Sequence, residues 1–480
     1  MSTHSCVLAP HLKAALSPGE DGKYSRLFPG LPPHQPDEAA LLALGRLGAA
    51  MDLGIELEST GSDHDNPRIP AGFTYLGQFI AHDITADRSL LQHHANLGEL
   101  HNFRTPRLDL EMVYAAGPSG TPYLYDLNDP DRFLLGCNDA GRPDDLPRNS
   151  QGRALIGDAR DDIHLLISQL HLAFLKFHNA VVAHLRSEGV PADDVFGEAR
   201  RLVRWHYQWI VVHEFLPLTA GDELMADLLA NGPRFYRPGD RSSLPVEFAD
   251  AAYRYGHSQI RPLHRINDRI EGSVFPDFAG IRPVPAERVV DWCYLFAVDP
   301  ARPPQPSKRI DTQLAHPLID LPEAVVGVTE LPEHHSLACR DLQRARALDL
   351  PSGEEVARFM GVQPLSVEEC GLCAGGWIGE TPLWYYVLKE AEVRAGGEHL
   401  GEVGGRIVAE VLLGLIDGDP QSYRRGAPDW RPTLPAHEPV KHTRSRARAF
   451  SLPCSSNWCW MATAHSSAIR TATPKSPLLS

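Results

Sequence analysis

Three observations predict a mainly α fold, built as one large helical domain with long loops and few or no strands. Apolar residues recur at helical spacing in several long segments. The 41 prolines and 39 glycines collect between those segments. Alternating apolar and polar runs of strand length are short and rare. The best helix covers residues 161–185, where Leu165, Leu172, Leu175 and the Val181–Val182 pair repeat on one side. A second covers residues 196–216 and is expected to stop at Pro217, because proline lacks the N–H that continues a helix. Residues 381–393 and 405–416 complete the long helices. Residues 104–153 and 232–247 are rich in proline and glycine and read as loops.

The chain has 480 residues, 43% hydrophobic and 22% charged, enough to bury about three quarters of its unfolded surface. A formal net charge of -15 argues against nucleic acid or an anionic membrane as the main partner. The eight cysteines are scattered, so a disulfide scaffold is not expected and a reducing compartment is the default. Residues 1–22 lack a basic start, an apolar centre and a cleavage site. The apolar runs read as too short to span a bilayer. The expectation is therefore no transmembrane segment and a cytoplasmic default, with non-standard secretion as the alternative. Charge also divides the chain. From His437 to Ser480 one acid, Glu438, faces six bases, leaving -20 on the residues before. The expected organisation is an extension at 1–22, a folded domain at 23–435, and a basic tail at 436–480 that is disordered or aberrant.

Histidine is abundant, at 23 residues. Imidazole is both a common metal ligand and the usual acid or base near neutral pH. In the stretch AGFTYLGQFIAHDITAD, Gln78 and His82 are four apart and share one helix face. That pair suits a cavity for a small polar substrate, and equally a polar pair satisfied in a core. His257 follows Gly256 in AAYRYGHSQIR, where the missing side chain admits a flat group or simply close packing. Arg160 lies in the first turn of the long helix, against the helix dipole, so it needs an acid partner or a bound anion. Thr105, Arg107, Asp109 and Glu111 alternate along one segment. Oxygen ligands at this spacing can wrap a hard cation; the same pattern describes a half-exposed strand.

Taken in order, GQFIAHD, TPRLDLEMVY, GDAR with SQLHLAFLKFHN, RWHYQWIVVHEFLP, FADAAYRYGHSQIRP and LQRARALDLPSG resemble the animal-type haem peroxidase superfamily, in particular its bacterial members. The resemblance runs from about Lys23 to Pro435. It implies a haem-dependent peroxidase that reduces hydrogen peroxide and oxidises small reducing substrates, with a role in the response to oxidative stress. It implies that His257 binds the haem iron and that Asp341 accepts from its other ring nitrogen, where the family carries asparagine. A carboxylate there implies a lower ferric reduction potential. Arg254 falls on the same cofactor side. His82 takes the place of the distal base, Arg160 of the distal arginine, and Gln78 of the group that orients peroxide. Asp83, Thr105, the Arg107 carbonyl, Asp109 and Glu111 match the family's calcium loop, with Glu111 where relatives carry a smaller ligand.

Two departures matter. The family positions that esterify haem in mammalian relatives are Ala81 and Ile163 here, so the expected cofactor is non-covalent haem b. Phenols, iodide or bromide are then the expected donors, rather than chloride. His164 adjoins Ile163 and reads as a packing histidine or a haem-edge contact. His164, His171 and His178 repeat every seven residues, about 10.5 Å along a helix, so no two can share one ion. Cys370 and Cys373 form a lone CxxC without the second pair a zinc site needs. A fatty-acid dioxygenase is the alternative activity. Its radical tyrosine would stand three residues before the proximal histidine, where this chain has Arg254; Tyr253 and Tyr255 are expected to point elsewhere. A haem- or calcium-binding scaffold without activity is the non-enzymatic alternative.

Overall fold

The computed structural model describes residues 24–55, 63–86, 100–237, 243–329, 331–432 and 434. The extension at 1–22 and the basic tail at 436–480 lie outside the described residues. Within them, ten α-helices have five residues or more: α1 (Glu38–Gly45), α2 (Gly72–Ile84), α3 (Leu165–Ser187), α4 (Ala192–Ile210), α5 (Leu216–Ala220), α6 (Asp222–Asn231), α7 (Leu337–Ala347), α8 (Gly353–Met360), α9 (Leu383–Ala395) and α10 (Glu402–Gly418). Strands are confined to three two-stranded pairs: a parallel one of Tyr24–Ser25 with Leu244–Pro245, and antiparallel ones of Asp65–Pro70 with Pro306–Lys308 and His264–Arg265 with Glu271–Gly272. The fold is mainly helical, as the periodicity predicts.

Helix α3 is the centre of the core. It packs against both α2 and α4. Phe79 of α2 stacks on Phe174 of α3 with centroids 4.5 Å apart and planes 12° apart, and Tyr207 of α4 meets both rings edge-on. Each such ring contributes roughly 1.5–3 kcal/mol by leaving water. By length and composition α3 is the one described helix that could cross a membrane, contrary to the expectation from the apolar runs. However, 94% of its apolar window is buried inside the fold, as a core helix requires.

The second predicted helix runs past its expected end. After α4 the chain widens into a π turn over Val211–Phe215, then continues as α5, with Pro217 in its first turn. Leu216 N–H reaches back five residues to the Val211 carbonyl. The wide turn makes room for a ring that lacks an N–H. Gly221, at φ +87°, then ends the segment.

Helices α9 and α10 hold the turn that carries His257. The buried carboxylate of Glu390, on α9, accepts from Val403 N–H at 3.1 Å and Gly404 N–H at 3.2 Å, capping the open N-terminus of α10. The two helices approach closely at Gly404, where a Cβ would lie 2.6 Å from a Val387 methyl. Both then pack on the 3₁₀ segment Ala252–His257.

The histidine row on α3 is structural in part. His178 accepts from the Tyr114 hydroxyl at Nδ1 (3.0 Å) and donates from Nε2 to the Asp131 carbonyl (2.8 Å). Burial pushes its pKa down to about 4. The unfolded chain therefore binds more protons than the folded one below about pH 6.5, so this contribution is full above that value and is lost as pH falls towards 4. His178→Gln should lose about 2–3 kcal/mol less stability than the parent between pH 7 and pH 4.5. Urea unfolding at both pH values measures this; equal losses would sink the assignment.

Candidate active site

A cavity of about 280 Å³ opens between α2, the start of α3 and the Ala252–His257 turn. Gln78, Ala81 and His82 line it from α2, followed by Arg160, Ile163 and His164. Arg254 and His257 line it from the turn. Phe248, Val274, Phe275, Leu318 and Leu321 supply apolar wall. Residues brought together here come from four distant parts of the sequence. No aspartate or glutamate is among the lining residues.

His257 is anchored from behind. Its Nδ1–H donates to Asp341 at 2.6 Å, and Asp341, on α7, is wholly buried. The other Asp341 oxygen accepts from Arg254 at 2.5 Å. Residues three apart eclipse each other in a 3₁₀ helix, which is why one carboxylate reaches both Arg254 and His257. Arg254 also donates to Asp250 at 2.7 Å and to the Ala249 carbonyl at 3.2 Å. Asp341 therefore shares its charge between an imidazole and a guanidinium.

His82 is anchored in the same manner. Its Nδ1–H donates to Asp161 at 2.6 Å, and the second Asp161 oxygen accepts from His171 Nδ1–H at 2.7 Å. Asp161 is wholly buried. Burial opposes its charge, but the hydrogen bonds from His171 and His82 hold its carboxyl below the usual range. Sequence reasoning did not single out Asp161, and it read His171 only as one of a row spaced too widely to share an ion. The signal was the acid run directly after Arg160.

Arg160 has the acid partner its position demands. Asp158 caps the turn by accepting from Arg160 N–H at 3.0 Å, and pairs with the Arg160 guanidinium at 2.8 Å and with Arg104 at 2.6 Å. Burial pushes the Asp158 carboxyl up, yet the two guanidinium groups hold it well below the usual range. Arg160 also donates to the His82 carbonyl at 2.9 Å. Helix α2 and the start of α3 are thereby tied together at the cavity.

Gln78 faces His164, whose role the sequence left open. His164 caps α3: its Nδ1 accepts from Ile167 N–H at 3.2 Å, so its proton lies on Nε2. That N–H donates to the Gln78 carbonyl at 2.8 Å. The Gln78 NH₂ is left on the other side of the amide. Burial, with His82 nearby, drives the His164 pKa down to about 3, so it stays neutral near neutral pH.

The segment from Thr105 to Glu111 wraps beneath α2. Asp83 is wholly buried; one oxygen accepts from Leu110 N–H at 3.1 Å, while Oδ1 has no hydrogen-bond partner. Leu110 is held at φ +61°, a left-handed conformation that costs energy for a branched side chain. Burial and the nearby Asp109 push the Asp83 carboxyl well above its usual range, and burial with Glu111 pushes Asp109 to about 6. Asp109 accepts from Glu111 N–H at 3.0 Å. Glu111 itself accepts from Thr105 N–H at 2.9 Å and faces Arg104 at 3.5 Å. Arg107 N–H donates to the Thr105 carbonyl at 2.7 Å. Among the described residues, no group of three His, Cys, Asp or Glu side chains is gathered as for a metal.

Other candidates sort out plainly. Cys370 is buried and Cys373 exposed, both as free thiols. Burial and Glu354 push the Cys370 thiol up to about 12, the reverse of a reactive CxxC. Tyr255 bonds to Thr219 at 3.2 Å. Tyr253 and Tyr255 both depart from expectation: both line the cavity, and the Tyr253 ring is stacked on Phe248 at 4.7 Å. The Tyr253 hydroxyl is turned to the Gly77 carbonyl at 3.1 Å.

The structure resembles peroxidase A from Dictyostelium discoideum, with a TM-score of 0.60 at 16% identity over 84% of this chain and 88% of that one. It also resembles the fatty acid alpha-dioxygenase of Oryza sativa, with a TM-score of 0.58 at 16% identity over 88% of this chain and 81% of that one. In sequence the chain is 27% identical to peroxidase skpo-1 of Caenorhabditis elegans over 57% of this chain and 41% of that one. It is likewise 27% identical to thyroid peroxidase of Sus scrofa over 55% of this chain and 30% of that one. It thus spans less than half the length of either relative. The sequence model of one family, animal haem peroxidase, matches residues 86–368. That span is more than half of the chain and includes Arg160, His257 and Asp341, and on this ground the chain belongs to the animal haem peroxidase family.

Proposed function

We propose that this chain is a haem-dependent peroxidase that reduces hydrogen peroxide and oxidises small donors such as phenols, iodide or bromide. One observation carries the reading. Two histidines, His82 and His257, open into one largely apolar cavity, and each has its Nδ1 occupied by a wholly buried carboxylate. Each Nε2 is then the nitrogen left for chemistry.

These residues fit haem. His257 would hold the iron through Nε2, with Asp341 increasing its basicity. When bound, haem supplies the redox chemistry that cleaves the O–O bond. His82 Nε2 would take a proton from one peroxide oxygen and return it to the leaving oxygen, which departs as water. Arg160 would bring fixed positive charge to the oxygen that gains negative charge. Gln78, held by His164 at its carbonyl, would present N–H groups to peroxide. The apolar wall would keep bulk water from competing.

Ala81 and Ile163 both line the cavity, and neither can form an ester. The cofactor in this reading is therefore non-covalent haem b. The unpartnered buried oxygen of Asp83, crowded by other carboxylates, fits a calcium ion. Asp83, Thr105, the Arg107 carbonyl, Asp109 and Glu111 would hold it, Glu111 now accepting from Thr105 N–H and facing Arg104. A second reading, fatty-acid dioxygenase, draws on Tyr253 at the cavity wall. Arg254 three residues before His257, locked between Asp341 and Asp250, weighs against it.

The purified protein should show a haem Soret band that shifts on adding peroxide, and His257→Ala should remove the band. Acidified solvent should extract the haem; pigment that stays with the polypeptide would refute non-covalent binding. Oxygen uptake with linoleate, without peroxide, would instead favour the dioxygenase. Separately, Asp341→Asn replaces a charged acceptor by a neutral one, a difference of about 1.4 kcal/mol. The ferric reduction potential should rise by about 60 mV, a tenfold shift for one electron. An unchanged potential in redox titration would remove Asp341 from this role.

A further inference from the structure

We propose that Asp161 is the positioning residue of His82, fixing its tautomer, and that His171 in turn fixes Asp161. This deepens the peroxidase reading above, because it concerns how the proposed base is kept competent.

The observation is the buried chain His82–Asp161–His171. Each Asp161 oxygen accepts from one imidazole Nδ1, at 2.6 Å and 2.7 Å. An ionised carboxylate is acceptor-only. Both rings must therefore carry their proton on Nδ1. In the neutral His82 ring this puts the lone pair on Nε2, in the cavity, the form that can receive a proton. For His171 it leaves Nε2 buried without a partner. The His171 ring is shut in by α3 and the edge of Phe79, with centroids 6.1 Å apart. It has no route to substrate and holds only the carboxylate.

The asymmetry between the two rings makes the proposal testable. In Asp161→Asn the new amide offers one acceptor and one donor. Only one histidine can then keep Nδ1–H. The other must accept at Nδ1 and carry its proton on Nε2. For His171 that would bury an N–H without a partner, which is the costlier arrangement. For His82 it would place the N–H in the cavity. His171 therefore keeps the amide oxygen, and His82 takes the wrong tautomer. Adding His171→Asn supplies a carbonyl that accepts from the amide NH₂ at position 161. The amide oxygen at position 161 is then free to turn back to His82.

Histidine-labelled apoprotein reads this directly, through the ¹⁵N shifts of the His82 ring, assigned by their loss in His82→Gln. Asp161→Asn should move the proton from Nδ1 to Nε2. His171→Asn alone should leave it on Nδ1, and Asp161→Asn with His171→Asn should restore it. In the haem-loaded protein, Asp161→Asn should slow peroxide consumption about 100-fold, the lower range for losing a general base. The double variant should recover at least tenfold over Asp161→Asn. A His82 ring that keeps Nδ1–H in Asp161→Asn overturns the proposal, as does a double variant no faster than the single one. If the parent does not consume peroxide, the peroxidase reading fails, while the tautomer measurement still decides the role of Asp161.

Discussion

Asp161 and Asp341 each accept a hydrogen bond from Nδ1 of a cavity histidine, and neither is exposed to water. A buried carboxylate is costly unless every oxygen is satisfied. Both acids meet that condition by using their second oxygen on another group: His171 for Asp161 and Arg254 for Asp341. This constraint reaches far into the fold. It requires the first turn before α3 to lie against α2, and α7 to lie behind the Ala252–His257 turn. The packing of α2 on α3, and of α9 and α10 on that turn, holds those arrangements in place.

The two anchors differ in charge balance. Asp161 faces two imidazoles, so its charge is answered by their Nδ1–H hydrogen bonds. Asp341 faces a guanidinium as well, and Arg254 is answered in turn by Asp250. The His257 side is therefore a network of fixed charges, whereas the His82 side can accept a proton. That division suits the proposed roles, a steady ligand on one side and a proton carrier on the other. Arg160 adds a third layer. Its guanidinium is held by Asp158, which also holds Arg104, so the cavity cation is fixed from the loop that carries Glu111.

The abundance of histidine also resolves into separate physical tasks. His82 and His257 open into the cavity; His164 and His171 fix the groups beside it; His178 fills a core position with both nitrogens bonded. The seven-residue repeat on α3 thus carries three different jobs, one at each level of the helix. Spacing alone excluded a shared metal ion, because two helical turns separate neighbours. It could not tell that the middle histidine would meet an acid ten residues before it, since that contact depends on how the turn before α3 folds back.

By itself the sequence determined the helical class, the long helices and their faces, and the residue types available for chemistry. Periodicity and motif order are local properties, written in spacings of three to seven residues. Gln78, His82, Arg160 and His257 stood out in this way, whereas Asp341 was named only through the resemblance to a family. The end of the second long helix was not: Pro217 reads as a stop, but tertiary packing stabilised a π turn that admits it. The tertiary structure alone decided which groups meet across 79 to 86 residues of chain, such as Asp161 with His82, His164 with Gln78, and Asp341 with His257. It also turned Tyr253 to the cavity wall. Such contacts depend on where four separated segments come to rest, and burial then raises the cost of leaving any of these hydrogen bonds unmade.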